Sequence, residues 1–433
     1  MTAAILAAHS IEERTERQSQ GNERSRQAGT QTGAPPRPAV PGKASRPACV
    51  PPRRFTVDGS DELEIALEQT CERVRAGVAD LIPARRFEGL LLAGGYGRGE
   101  GGVLRTPEGD RPYNDLEFYV FVRGNRLLAE RRYREPLHEL GERLSSSAGL
   151  EVEFKVLTAA HLRHSPVSMF YYDLVSGHQR LAGGEELLRG CEHHRTALRI
   201  PLHEATRLLL NRCSGLLFAR ARLVRTGDFT AADADFVGRN LAKAKLAFGD
   251  VLLAAKGQYQ WSCRERHWRL RGWQLTEDLA WAAPLVDLHG EGVDFKLHPV
   301  RSPASRDTLE AEHARLSHLG RRLWLWLEGR RLGPHFASAR DYALSAVNKC
   351  PECPALRNRL INARTFGLAA AIGRAGRRYP RERLLQALPL LLWETDGLED
   401  AGLRECIQTA LDTRAVGFEA VVQAYRQLWE RFN

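Results

Sequence analysis

An apolar stretch, Gly89–Ala93, runs directly into a glycine-rich turn, and after an insertion a second apolar stretch begins behind two acids: LLLAGGYGRGEGGVLRTPEGDRPYNDLEFYVFV, Leu90 to Val122. Glycines at a strand end let the backbone turn sharply and approach a ligand closely. Successive exposed N–H groups in such a turn make an anion nest, so Gly94 and Gly95 are candidates for contact with phosphate. Gly97, Gly99 and Gly102 also satisfy G-x-G-x-x-G, which makes a dinucleotide fold the first rival. Two features argue against it. No apolar-periodic helix follows, because residues 103–114 hold Pro107, Gly109 and Pro112. The acids also stand before and within the next strand instead of after its end.

The flanking periodicities build the frame. Asp61–Ile82 has helical spacing with acids at its start, and Leu116–Val122 is β-branched and aromatic, hence a strand. Arg126–Leu144 is amphipathic, with Pro136 expected to kink or split it. Leu150–Leu157 alternates strictly and predicts a third strand. From Pro201 the pattern turns helical: LHEATRLLLNRCSGLLFARARLV, then a helix opening at Thr230 with Asp233 three residues on and stopping at Gly257, then residues 308–332 and 355–433. The expected fold is α+β: a small α/β domain with a mixed sheet over 58–190, then a larger all-α domain over 200–433.

Residues 1–55 carry about half of the net charge of +10 and culminate in GAPPRPAVPGKASRPACVPPRR. Such a segment cannot build a core and is expected to be a disordered basic tail. The remaining chain is mildly basic, which suits a phosphate-bearing ligand. With 43% hydrophobic and 27% charged residues the chain reads as a soluble globular protein. No run of 18 apolar residues exists, so no membrane partner is expected. The start, MTAAILAAHSIEERTER, is a poor secretory signal, and the 8 cysteines have no disulfide framework, so a cytoplasmic location is expected.

Asp115 and Glu117 are one residue apart on a strand, so both point to one face, roughly 6–7 Å apart. Two carboxylates in an otherwise apolar strand repel each other and cost desolvation, and the usual compensation is a hard divalent cation such as Mg²⁺. Glu153, flanked by Val152 and Phe154, supplies a third carboxylate; Glu151 shares its face and is the alternative. Arg98, inside the turn, suits either a bidentate phosphate contact or an ion pair with Glu100. Lys243 and Asp250 are seven apart on one helix face, with Arg239 one turn before the lysine, so the lysine is placed to neutralise a triphosphate and the aspartate to receive an acceptor. Asn211 and Arg212 suit either bracing at the domain interface or contact with the nucleotide, with bracing the favoured reading because buried polar side chains usually brace structure. Cys350 and Cys353 lack the second pair that zinc needs, as do Cys191, His193 and His194. Trp324 and Trp326 read as core.

The succession GGYGRGE, NDLE with its apolar strand, and an acid on the next strand resembles the DNA polymerase beta-type nucleotidyltransferase superfamily, within it the kanamycin nucleotidyltransferase-like and minimal nucleotidyltransferase group. Met169–Gly184 resembles the segment after the third acid in bacterial members. RLLLNRCSGLL and KAKLAFGDVLLAAKGQY resemble helices of their all-α partner domain, so the likeness covers roughly residues 58–265. It implies transfer of a nucleoside monophosphate from an NTP, ATP among them, to an acceptor hydroxyl with release of pyrophosphate. It implies two Mg²⁺ ions on Asp115, Glu117 and Glu153, phosphates on Gly94 and Gly95, and Lys243 as the helix lysine. The acceptor, a small molecule or RNA, is not implied. Three departures stand out: Gly95 where serine is frequent, a longer span from Gly95 to Asp115 containing TPEGDRP, and glutamate at two of the three acids. A catalytically degenerate nucleotide-binding module and a toxin-like RNA-modifying transferase are the competing expectations.

Overall fold

A computed structural model describes residues 54–433 except 114, 275, 374 and 395–397. The expected tail therefore lies outside the described residues, apart from its last two. Order begins slightly earlier than the expected Asp58: Phe55 is buried and donates its backbone N–H to Glu64 at 2.7 Å. An aromatic side chain with its amide satisfied is stable inside a core, and this one joins the first hydrophobic cluster.

The first half alternates helix and strand. Helix α1 (Asp61–Leu81) is capped by Ser60 and carries acids in its first turn, where they complement the helix dipole. Strand β1 (Phe87–Leu92) enters a single helical turn, α2 (Gly94–Gly97). The insertion forms its own antiparallel hairpin, β2 (Val103–Thr106) with β3 (Gly109–Pro112). Strand β4 (Leu116–Val122) leads to α3 (Arg126–Ala148), which runs unbroken through Pro136. Asn125 caps its start, Gly149 ends it in the left-handed conformation, and Tyr133, Leu137 and Leu140 are buried on both sides of the proline. Packing along the whole length outweighs the one lost backbone hydrogen bond. Strand β5 (Val152–Leu157), helices α4 (Ala159–His164) and α5 (Met169–Ser176), and strand β6 (Gln179–Gly183) follow.

The four-stranded sheet has order β5-β4-β1-β6, with β4–β5 parallel and the other two pairs antiparallel, hence mixed. Its two faces follow strand parity. Leu116, Phe118, Val120, Val152 and Val156 join the core under α1 and α3. Tyr119, Phe121 and Leu157 pack with Leu162 and Leu174 of α4 and α5. Glu117 and Glu153 have the parity of the second face, at its N-terminal end.

The second half is helical: α6 (Leu202–Leu223), α7 (Ala231–Ala255), α8 (Cys263–Arg271), α9 (Pro284–Leu297), α10 (Arg306–Leu332), α11 (Ala339–Leu344), α12 (Ala355–Phe366), α13 (Arg381–Trp393), α14 (Ala401–Leu411) and α15 (Phe418–Phe432). The expected capping box at Thr230 and Asp233 opens α7. The stretch 355–433 is divided at positions that cannot continue a helix, among them Gly367, Gly417 and Asp412, all at positive φ. Trp324 is buried in this core, edge-on to Tyr342 and Trp393, as expected of a packing residue. Among the described residues no helix is long and apolar enough to cross a membrane.

Candidate active site

The glycine turn is wound around a buried aromatic ring. Tyr96 is inaccessible to solvent, donates its hydroxyl to the Gly102 carbonyl at 2.9 Å and accepts from the Tyr113 amide at 3.0 Å. It thereby ties the start of the turn to its end and to the segment leading into the acids. A Cβ on Gly101 would overlap the Tyr96 ring, and one on Gly97 would overlap the Leu92 carbonyl oxygen. These glycines serve close packing. Gly97→Ala is expected to cost about 1–3 kcal/mol, because the obstruction is backbone and cannot rotate away. Denaturant titration of the variant against Gly184→Ala, at an ordinary φ of -74° and with only the Glu186 amide nitrogen at 4.0 Å from its Cβ, separates the clash from general loss of glycine. The amides of Gly97, Arg98, Gly99 and Glu100 bond carbonyls within the turn and that of Gly101 bonds Phe55. The part of the turn that can meet a ligand is therefore its head. Gly94, at φ 65°, sits there with its Cβ position 3.5 Å from the Glu117 carboxyl carbon.

The parallel register sets Glu117 directly opposite Glu153 and Tyr119 opposite Lys155. Lys155 Nζ lies 3.6 Å from Glu117 and 3.5 Å from Glu153. The Tyr119 hydroxyl donates to Glu117 at 2.9 Å, and Lys155 reaches that hydroxyl at 3.4 Å. Asp115 precedes the strand on the same parity. Its carboxyl is raised to about 6, first by burial and then by the charges of Glu117 and Glu153. Among the described residues no cation stands within ion-pair distance of it. The three expected acids thus converge electrostatically, and sequence reasoning missed the lysine among them. The same period-two argument that paired Asp115 with Glu117 puts Lys155 beside Glu153, so the signal was available.

Whether these residues suit a divalent cation follows from their chemistry. Among the described residues no three His, Cys, Asp or Glu side chains stand close enough to enclose a metal ion. Glu153 and Glu117 are bridged by an ammonium, whereas Asp115 feels the charges of Lys155 and Lys243 without an ion-pair contact among the described residues. The donor set suits one hard cation on Asp115 and Glu117 with further oxygens from a ligand. It does not form a closed cage of three carboxylates.

Helix α7 presents the opposing charge. Lys243 is exposed, yet its ammonium is pushed below the usual lysine range by desolvation and by Arg212 and Arg239, while Asp115 pulls it the other way. Arg239 also acts on Tyr113, two residues before Asp115. Arg239 and Lys243, four apart, therefore follow the segment Tyr113–Asp115 along one helix face. Arg212, expected to brace structure, belongs to this cationic group.

Two other expected contacts are placed elsewhere. Arg98 forms a buried ion pair with Asp173 of α5 at 3.1 Å, which satisfies its charge away from the acids. Asp250 is buried and pairs with Arg266 at 2.5 Å and His289 at 3.0 Å, so it faces the helical core and no acceptor. Seven residues along α7 lead from a rim position at Lys243 to an interior one. The two pairs are joined: the Tyr259 hydroxyl donates to Asp173 at 3.2 Å and Arg266 donates to that hydroxyl at 3.3 Å. Beside them Glu100, at the end of the glycine turn, caps α8 through the Ser262 hydroxyl at 2.5 Å and the Cys263 amide at 2.9 Å. The turn is thereby fastened to the helical domain. Their partners lie far off in the chain, so no local pattern announced them.

The remaining candidates are structural. His193 and His194 bond the carbonyls of Ser165 and Leu162, and Cys191 and Cys350 are buried thiols. Comparison with protein-family models, with curated proteins and with solved structures finds no match to this chain.

Proposed function

We propose that the chain is a nucleotidyltransferase that moves a nucleoside monophosphate from an NTP to an acceptor hydroxyl and releases pyrophosphate. The observation that carries this reading is the juxtaposition of opposite charges: an acidic sheet end of Asp115, Glu117 and Glu153, beside a glycine turn, facing the cationic face of Arg212, Arg239 and Lys243. A triphosphate is the kind of ligand that needs both. Arg239 and Lys243 bind and orient its phosphate oxygens, and the head of the turn lets the backbone lie close to them. A divalent cation on Asp115 and Glu117 would supply charge neutralisation at the α-phosphate. Glu153, oriented by Lys155, accepts the proton of the attacking hydroxyl. The new bond joins that oxygen to the α-phosphorus, the bridging α–β oxygen bond breaks, and pyrophosphate departs.

Lys243→Ala is expected to weaken NTP binding about 10- to 100-fold, the worth of one charge-assisted contact of roughly 1.5–3 kcal/mol. AMP binding should change much less, since it carries about two fewer negative charges. Calorimetric titration with a non-hydrolysable NTP and with AMP reads both; equal losses for the two would remove Lys243 from the triphosphate.

A second reading, a nucleotide-binding module without catalysis, is favoured by the ammonium of Lys155 among the acids. A pyrophosphate-release screen over four NTPs, with small-molecule and RNA acceptors, decides between them. NTP binding with no release for any acceptor supports the second.

A further inference from the structure

We propose that Lys155 is a built-in counter-charge standing in for one of two metal ions, so that this site takes a single divalent cation. The inference rests on the transferase reading of the same acids and goes beyond it in fixing their ion count.

A two-ion site holds its metals roughly 3.5–4 Å apart, bridged by shared carboxylates. Here the position between the two facing glutamates is held by an ammonium, 3.5 Å from one carboxylate and 3.6 Å from the other. This is not a surface lysine resting on a passing acid. Its side chain is 23% exposed, its nitrogen reaches the Tyr119 hydroxyl at 3.4 Å and lies 5.5 Å from the centre of the Tyr119 ring. Tyr119 is itself inaccessible and bonded to Glu117. The cross-strand register that sets Glu117 opposite Glu153 also sets Tyr119 opposite Lys155, so the four groups form a closed square on one sheet face.

Charge balance points the same way. On the sheet face three carboxylates and one ammonium leave two negative charges, and the α7 cations Arg239 and Lys243 act against the same charge, so there is room for no more than one divalent ion. A second ion would meet Lys155 as a like charge at close quarters, which disfavours its binding. Asp115, whose charge Lys155 feels but does not contact, is the place left for the single ion.

The test is a Mn²⁺ titration of the full chain without nucleotide, followed by electron paramagnetic resonance and calorimetry. Wild type is expected to bind one Mn²⁺. Lys155→Met should bind two, or bind the first about tenfold more tightly, because the carboxylates have lost their internal cation. Its melting temperature should fall in EDTA and recover with Mn²⁺ by more than wild type gains. Glu153→Gln with Lys155→Met removes one charge of each sign and should return to one ion, and it keeps the test open if the single variant does not fold. Two ions in wild type, none in wild type, or one ion of unchanged affinity in Lys155→Met would each overturn the proposal. Absence of pyrophosphate release from wild type would instead remove the transferase reading and leave the ion count standing.

Discussion

Asp115→Asn with Glu117→Gln is expected to abolish nucleotide transfer, by at least about a thousandfold, while making the cation-free protein more stable at neutral pH. The two effects have one origin. Asp115 stands at about 6 in the folded chain against an ordinary value of 3.8, raised by burial and by its acidic neighbours. The folded protein therefore binds a proton more readily than the unfolded chain between those values. At pH above 6 the ionised form is a cost to folding of about 1–3 kcal/mol, and that cost is relieved as pH falls through 6 toward 4. The amide variant should thus melt higher than wild type at pH 7.5 in EDTA, with the difference closing near pH 4. Divalent cations should raise the melting temperature of wild type and leave that of the variant nearly unchanged. Retained transfer in the variant would detach the acids from the chemistry. Lower stability at pH 7.5 would mean that the contacts of Glu117 with Lys155 and Tyr119 outweigh the relief of burial and repulsion at Asp115.

Breaking the buried ion pair inside the helical half should have the opposite sign. Asp250→Ala leaves the Arg266 guanidinium, 3% exposed, without its closest carboxylate, and His289 without its acceptor. Removal of one partner from such a pair costs about 3–5 kcal/mol, since an uncompensated charge stays in the interior. Burial acts against the Asp250 charge, yet Arg266 and His289 hold its carboxyl below the ordinary value of 3.8. Its stabilising contribution is therefore complete at neutral pH and is lost only as pH falls below about 4. Denaturant melts of Asp250→Ala and wild type at pH 7 and pH 3.5 should show a large gap at the first pH and a reduced one at the second. A gap that grows on acidification would contradict the assignment. Because Arg266, Tyr259, Asp173 and Arg98 form one chain of contacts to the glycine turn, the variant should also weaken NTP binding without touching the acids.

Local periodicity accounts for what the sequence alone determined. Residues two apart on a strand share a face whatever surrounds them, so Asp115 was paired with Glu117 as soon as the strand was recognised, and the same rule sets Lys155 beside Glu153, a neighbour that the sequence reading passed over. The α+β class, the capping box at Thr230 and the packing role of Trp324 were legible for the same reason: each depends on spacing over a few residues. Pro136 was misleading because its cost is local, while the burial of Tyr133, Leu137 and Leu140 that overrides it comes from tertiary packing. Only the tertiary structure could decide the rest. The register of β4 on β5 brings Glu117 to Glu153 and sets Lys155 within reach of both. Arg98 answers to Asp173, and Asp250 to Arg266 and His289, across separations of 75, 16 and 39 residues. A side chain's face is set by its own backbone, whereas the partner that satisfies a buried charge is whichever group the folded chain carries to it.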